Sequence, residues 1–201
     1  MDKLKQTNPE TKSGNEEFTY IGKSINHRLL DFWKWSVSDL LSNSTRGILA
    51  EFIVGTAIGL KNFVPRVEWD AYDLITDYGA RIEVKSAAYI QTWSQKKYSN
   101  ITFSIGQTKQ WEDDSNNKRS NSKRHADIYV FCHLKHKDQE TIDPLKLEQW
   151  HFYVMTTNQI EQYFGSQKTV SLGIIRKFTS QVDYNDLGKT IKDAYLNSIK
   201  K

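Results

Sequence analysis

At 201 residues and 38% hydrophobic, the chain is long enough to bury a sizeable core in one domain, and its formal net charge of +4 permits an anionic polymer as partner without resembling a histone-like tail. One cysteine, Cys132, excludes an internal disulfide framework and a thiolate-rich zinc site. With neither a signal-peptide pattern nor an apolar run of membrane length, a soluble, cytoplasmic protein with no membrane partner is expected.

Residues 1–17 (MDKLKQTNPETKSGNEE) are polar and aperiodic, and read as a flexible leader to a single domain over 18–201. From His27 to Leu41, Leu29, Leu30, Phe32, Trp33, Val37, Leu40 and Leu41 recur at helical spacing, which predicts a packing helix with its aromatics, Trp35 included, in the core. Ser44 or Thr45 can cap a second helix, Arg46 to about Leu60, with Ile48, Leu49, Phe52, Ile53 and Ala57 on its apolar side. Gly47, Glu51 and Gly55 fall at i, i+4 and i+8, so the Glu51 carboxylate stands on a stripe of small residues that allows close approach. A solvated helix glutamate is the plainer alternative. Arg46, one turn earlier, either contacts phosphate or pairs with Glu51. Phe63–Trp69 reads as a first strand, entered through Pro65.

The stretch WDAYDLITDYGARIEVK, Trp69 to Lys85, predicts a β-hairpin: a short run Tyr72–Thr76, a turn at Asp77-Tyr78-Gly79, and a second strand Ala80–Ser86. A three-residue loop pairs Thr76 with Ala80 and therefore sets Asp73 opposite Glu83. The period of two puts Ile82 and Val84 on one side and Arg81, Glu83 and Lys85 on the other. Opposed strand residues have Cβ atoms roughly 5 Å apart, close enough for two carboxylates to hold one hard cation. Opposed like charges are a poor way to stabilise a sheet, and a divalent ion would relieve them while leaving Lys85 to orient or deprotonate water. A surface hairpin with a Glu–Lys pair is the alternative. Asp70 competes for the first carboxylate, but would need a two-residue Thr76-Asp77 turn that lacks the glycine.

Asp73 followed by Glu83-Val84-Lys85 resembles the signature of the PD-(D/E)xK nuclease superfamily, with Tyr72 where the signature has proline. The resemblance covers roughly residues 44–134. It implies an α/β fold of restriction-endonuclease type, a central mixed β-sheet flanked by helices with an αβββαβ core. It further implies that the helical acid Glu51 completes a metal set with Asp73 and Glu83, that Lys85 positions or activates the water, and that Gln91 lies near substrate or water. Mg2+ is then the expected cofactor, with Mn2+ able to substitute, and DNA the expected substrate by analogy.

After Lys85, Tyr89, Gln91 and Trp93 alternate, and Ile101–Ile105 (ITFSI) is a short strand. Residues 106–125 are polar with a basic end, Lys118, Arg119, Lys123, Arg124 and His125, suited to a phosphate backbone, with Trp111 a possible anchor; an ordinary solvated insertion is the alternative. Ala126–Leu134 is apolar on both faces and should be a buried strand beside the Glu83 strand. Trp150–Met155 is another strand, a short helix capped by Thr157 or Asn158 ends at Gly165, Lys168–Ile175 is a late strand or loop, and Tyr184–Ile199 a terminal helix. The expected activity is a Mg2+-dependent endonuclease that hydrolyses phosphodiester bonds with metal-activated water. The alternative is an inert nucleic-acid-binding or assembly protein that retains the fold. Nucleic acid is the expected partner, with a homodimer left open.

Overall fold

The computed structural model describes residues 7, 9–60, 65, 71–108 and 122–200. The expected strand over 63–69, apart from Pro65, and the residues Asp70, Trp111, Lys118 and Arg119 lie outside the described residues. The described residues fall into two compact units, one reaching to Asp39 and including Pro65, the other holding the rest.

In the smaller unit, β1 (Glu17–Tyr20) and β2 (Lys23–Arg28) form an antiparallel hairpin. Its turn residues Ile21 and Gly22 both have positive φ, 49° and 71°, as the mirror-image two-residue hairpin turn requires. Helix α1 (Leu29–Val37) follows directly, and the Arg28 N–H donates to Asp31 Oδ2 at 2.9 Å. Just ahead of β1, the N–H groups of Ser13 and Gly14 donate to the Glu16 carboxylate, which lowers its pKa to about 2. The Leu29 and Leu30 N–H groups in turn donate to the Glu16 and Gly14 carbonyls, 2.9 Å each. The packing role expected for this helix needs correcting. It is shorter than the 27–41 pattern, it buries no residue, and Leu30, Phe32, Trp35 and Val37 are exposed. Periodicity reports which residues share a face and says nothing of what covers it.

The larger unit opens with α2 (Asn43–Ala57). Its cap is Ser42, whose hydroxyl accepts from the Thr45 N–H at 3.3 Å, so Thr45 occupies the third helical position and not the cap. There follow β3 (Leu74–Ile75), β4 (Arg81–Ala88), β5 (Thr102–Ser104), β6 (Ile128–Leu134), β7 (Trp150–Thr156), α3 (Thr157–Phe164), β8 (Thr169–Ser171), α4 (Leu172–Ile175) and α5 (Tyr184–Ile199). The main sheet has the order β3-β4-β6-β7, with β4 and β6 parallel and the other pairs antiparallel. It is the expected central mixed sheet flanked by helices. Every residue of β6 is buried, and it lies beside β4 as its two-sided apolar pattern predicts. β5 leaves this sheet and pairs instead with β8. The α3 cap is Thr156, one residue before the expected Thr157, and its hydroxyl accepts from the Gln159 N–H.

Strand alternation divides the core into two. Ile82, Val84 and Ala88 of β4, with Ile128, Val130, Cys132 and Leu134 of β6, pack against Ala50, Ile53 and Val54 of α2 and Leu187 and Ile191 of α5. On the other face Ala87, Tyr129, Phe131, Tyr153 and Met155 meet Phe103, Ile160, Val170, Leu172 and Ile175 from β5, α3, β8 and α4. Full burial of a side chain such as Leu187 is worth about 1.5–3 kcal/mol.

A close helix approach is made by Gly188, and Gly47 of the expected stripe makes none. A methyl at Gly188 would stand 2.1 Å from the Ala57 carbonyl oxygen of α2, whereas one at Gly47 meets nothing within 4 Å. Gly188→Ala is therefore expected to lower stability by about 1–3 kcal/mol, overpacking outweighing a helix-propensity gain of about 1 kcal/mol. Gly47→Ala should be neutral or raise stability by up to about 1 kcal/mol. Urea unfolding of both variants checks the pair.

His133 is 1% exposed and neither ring nitrogen has a hydrogen-bond partner among the described residues. Burial, reinforced by the charges of Arg176, His151, Lys137 and Lys135, pushes its pKa down from 6.5 to about 4. The unfolded chain therefore binds a proton that the fold refuses, so His133 leaves stability intact above about pH 6.5 and lowers it progressively as pH falls toward 4, by up to about 1.4 kcal/mol per unit. His151, also lowered by burial, acts in the same direction. His133→Leu should flatten this slope and be at least as stable at pH 7, because two unpaired buried nitrogens disappear. Denaturant titrations from pH 4 to 7.5 measure it.

Candidate active site

The hairpin turn is closed by three bonds. The Thr76 N–H donates to the Ala80 carbonyl at 3.0 Å, the Ala80 N–H to Thr76 Oγ1 at 2.9 Å, and the Gly79 N–H to the Thr76 carbonyl at 2.9 Å. Gly79 has φ 85°, a conformation that its missing Cβ makes inexpensive. Leu74 pairs with Ile82 and Ile75 with Arg81, the expected register, which carried one step outward sets Asp73 opposite Glu83. The Asp73 N–H donates to the Ile82 carbonyl at 3.0 Å, and its Oδ2 then accepts the Val84 N–H at 2.7 Å. The carboxylate thus satisfies an amide on the β4 edge where β3 has ended, and the same bond orients it beside Glu83.

Glu83 and Lys85 share one face of β4, and Lys85 Nζ donates to Glu83 Oε1 as an ion pair. Their side chains are 20% and 31% exposed, half-sunk on a face otherwise lined by Ala87, Tyr129 and Phe131. Burial raises the Glu83 pKa above its ordinary 4.5, Lys85 works against that, and the charges of Asp73 and Glu51 add to it. Two acids, Glu51 on α2 and Asp73 across the hairpin, therefore act electrostatically on Glu83. Among the described residues no three His, Cys, Asp or Glu side chains stand together as a ready metal-binding group.

The other predicted residues lie elsewhere. Gln91 is buried, and its amide is engaged with the protein: Oε1 accepts from Arg46 Nη1 at 3.1 Å, and Nε2 donates to the Ala88 carbonyl at 2.9 Å and to Ser99 Oγ at 3.3 Å. Arg46 is 3% exposed and also donates to the Leu41 carbonyl and to Asn43 Oδ1, so it is an internal tie between α2 and the end of β4. Lys123 is exposed and its backbone bridges to Thr108. Arg124 departs from its expected place on a phosphate-binding loop. Its side chain is fully buried, with Nε donating to the Ile105 carbonyl at 2.7 Å, Nη1 paired to Glu161 at 2.5 Å and Nη2 donating to the Gly165 carbonyl at 2.8 Å. A basic run in a sequence does not disclose which of its members turns inward to neutralise a helix carboxylate.

Three further residues, Arg81, Asp127 and Tyr129, frame the Glu83 strand. Arg81 Nε and Nη2 donate to the two carboxylate oxygens of Asp127 at 3.0 and 2.6 Å, the Arg81 N–H donates to Asp127 Oδ2 at 3.0 Å and the Asp127 N–H to the Arg81 carbonyl at 2.8 Å, which clamps the start of β4 to the start of β6. Tyr129 lies in register with Glu83, and burial and that carboxylate push its hydroxyl pKa up.

No curated protein matches the chain. A family model, that of bacteriophage T4 endonuclease IV, matches residues 2–173, well over half of the chain and including Glu51, Asp73, Glu83 and Lys85. The chain belongs to the bacteriophage T4 endonuclease IV family and is a nuclease with a nucleic-acid substrate.

Proposed function

We propose that the protein is a divalent-metal-dependent endonuclease acting on DNA, with Asp73, Glu83 and Lys85 as its catalytic group. The observation that carries this reading is the Asp73 carboxylate bound to the Val84 amide beside a Glu83 whose ionised form is disfavoured by burial and by two neighbouring acids. Such a pair has a standing electrostatic demand for a cation. The donor chemistry suits Mg2+, which is held through one or two carboxylates together with waters and substrate phosphates and so needs no cage of three protein acids. Asp73 and Glu83 would hold the ion, with Glu51 adding its negative field from α2. When bound, Mg2+ supplies Lewis-acid polarisation of the phosphodiester and acidifies a bound water. The Lys85 ammonium, anchored by Glu83 on the same face of β4, orients the attacking water and offsets charge on the phosphate. The preference for DNA rests on the resemblance of the Asp73…Glu83-Val84-Lys85 pattern to the PD-(D/E)xK enzymes.

Asp73→Asn and Glu83→Gln are each expected to reduce Mg2+-dependent cleavage of plasmid DNA by at least about a hundredfold, with melting unchanged or higher. Asparagine keeps an acceptor for the Val84 amide, and either change removes one of two opposed like charges. Wild-type cleavage by either folded variant would end the assignment.

Lys85→Ala should lose cleavage to a similar degree while keeping the rise in melting temperature that Mg2+ or Mn2+ produces, since an ammonium is not a ligand. Loss of that metal-induced shift together with cleavage would make Lys85 a structural support of the carboxylates.

A further inference from the structure

Beyond the end of β4, the chain leaves a cavity of about 440 Å³ lined by Tyr89, Ser99, Asn100, Thr102, Ser171 and Arg176, among others. Its polar groups are arranged to donate. Ser99 Oγ accepts two amide bonds, from Gln91 Nε2 at 3.3 Å and Gln95 Nε2 at 3.0 Å, so its own O–H is left to point outward as a donor. Arg176 is fixed through Nε, which donates to the buried Tyr153 hydroxyl at 3.0 Å, while its two terminal nitrogens have no partner among the described residues. Lys137 adds a second cation, held 4.4 Å from the centre of the Tyr89 ring and 5.4 Å from that of Tyr98. Behind Tyr89, the His133 ring meets it edge-on at 4.8 Å with both nitrogens unpaired, in a field set by Arg176, Lys135, Lys137 and His151. At His151 the charge of Asp183 works in the opposite sense.

We propose that this cavity is a phosphate subsite that receives a backbone phosphodiester of the substrate strand, with Arg176 and Ser99 as its principal donors. The proposal rests on the nuclease reading for the identity of the ligand. Tyr89 follows Lys85 by four residues, about 13 Å along an extended strand, which matches roughly four nucleotide steps of about 3.4 Å measured along the axis of a duplex. The subsite therefore holds the substrate several nucleotides from the bond that is cut. It also gives Gln91 a role: tied to Arg46 on one side and Ser99 on the other, it is a positioning residue for the phosphate donor.

The test is binding of labelled single-stranded and duplex oligonucleotides across a salt series, with every variant built on the non-cleaving Glu83→Gln protein. Arg176→Gln should weaken binding about tenfold and lower the log–log salt slope by about 0.7 on single strands or about 0.9 on duplex, one phosphate contact. Arg176→Lys should keep the slope, because the charge remains. Ser99→Ala should weaken binding with the slope unchanged, because only a neutral donor is lost. Should Arg176→Gln fail to fold, Thr102→Glu places a carboxylate at the exposed mouth and must weaken binding at least tenfold. Unchanged affinity and slope in a folded Arg176→Gln protein, or unchanged affinity in Thr102→Glu, overturns the subsite. Cleavage by the wild-type protein is scored separately, so an uncut substrate overturns the nuclease reading while the binding series still decides the subsite.

Discussion

The parallel pairing of β4 with β6 is the constraint on which the rest of the larger unit depends. Seven consecutive residue pairs, Ile82 with Ile128 through Ala88 with Leu134, set which side chains of β4 face α2 and α5 and which face β5 and β8. A slip of one residue would exchange these faces, sending Glu83 and Lys85 into the helix-packed core and Val84 out of it. The Arg81–Asp127 fork closes the pairing at its start, and the uninterrupted burial of β6 makes any other register costly. Against this fixed strand the hairpin then has only to deliver Asp73.

The same face of β4 gathers electrostatic conflict. Glu83 is half-buried among apolar and aromatic side chains with two other acids in its field, and Lys85 compensates it. Further along that face, His133 is buried near cations, with no partner for either nitrogen among the described residues. Neither arrangement helps the fold, since desolvating the Glu83 carboxylate opposes its pairing with Lys85 and a buried polar group without a partner, such as the His133 ring, costs about 1–3 kcal/mol. They stand on one face, while the core on the opposite face is apolar and packed by α2 and α5.

Arg46 and Gln91 show how the two sides are joined. The guanidinium of α2 reaches the turn after β4 through Gln91, and Gln91 reaches Ser99. The helix that carries Glu51 and the loop that follows β4 are thereby held in one network. These residues looked from their types like candidates for substrate contact, and the structure uses their hydrogen bonds first to fix the scaffold.

The amino-acid sequence by itself determined the hairpin and its register, because the turn length and Gly79 leave one way to pair the strands, and with it the apposition of Asp73 and Glu83 and the shared face of Lys85. It also determined β6 as a buried neighbour of β4 and α5 as a helix, since a two-sided apolar run and a 3.6-residue period are local signals. Only the tertiary structure decided what depends on contacts distant in the chain. Arg124 was turned inward by Glu161 and the carbonyls of Ile105 and Gly165, Gly188 and not Gly47 became the point of helix contact, and β5 was paired with β8. The stripe of α1 was legible as a stripe and still left exposed. Residue type and spacing specify the face a side chain occupies, whereas its partner is set by which other element the fold brings to that face.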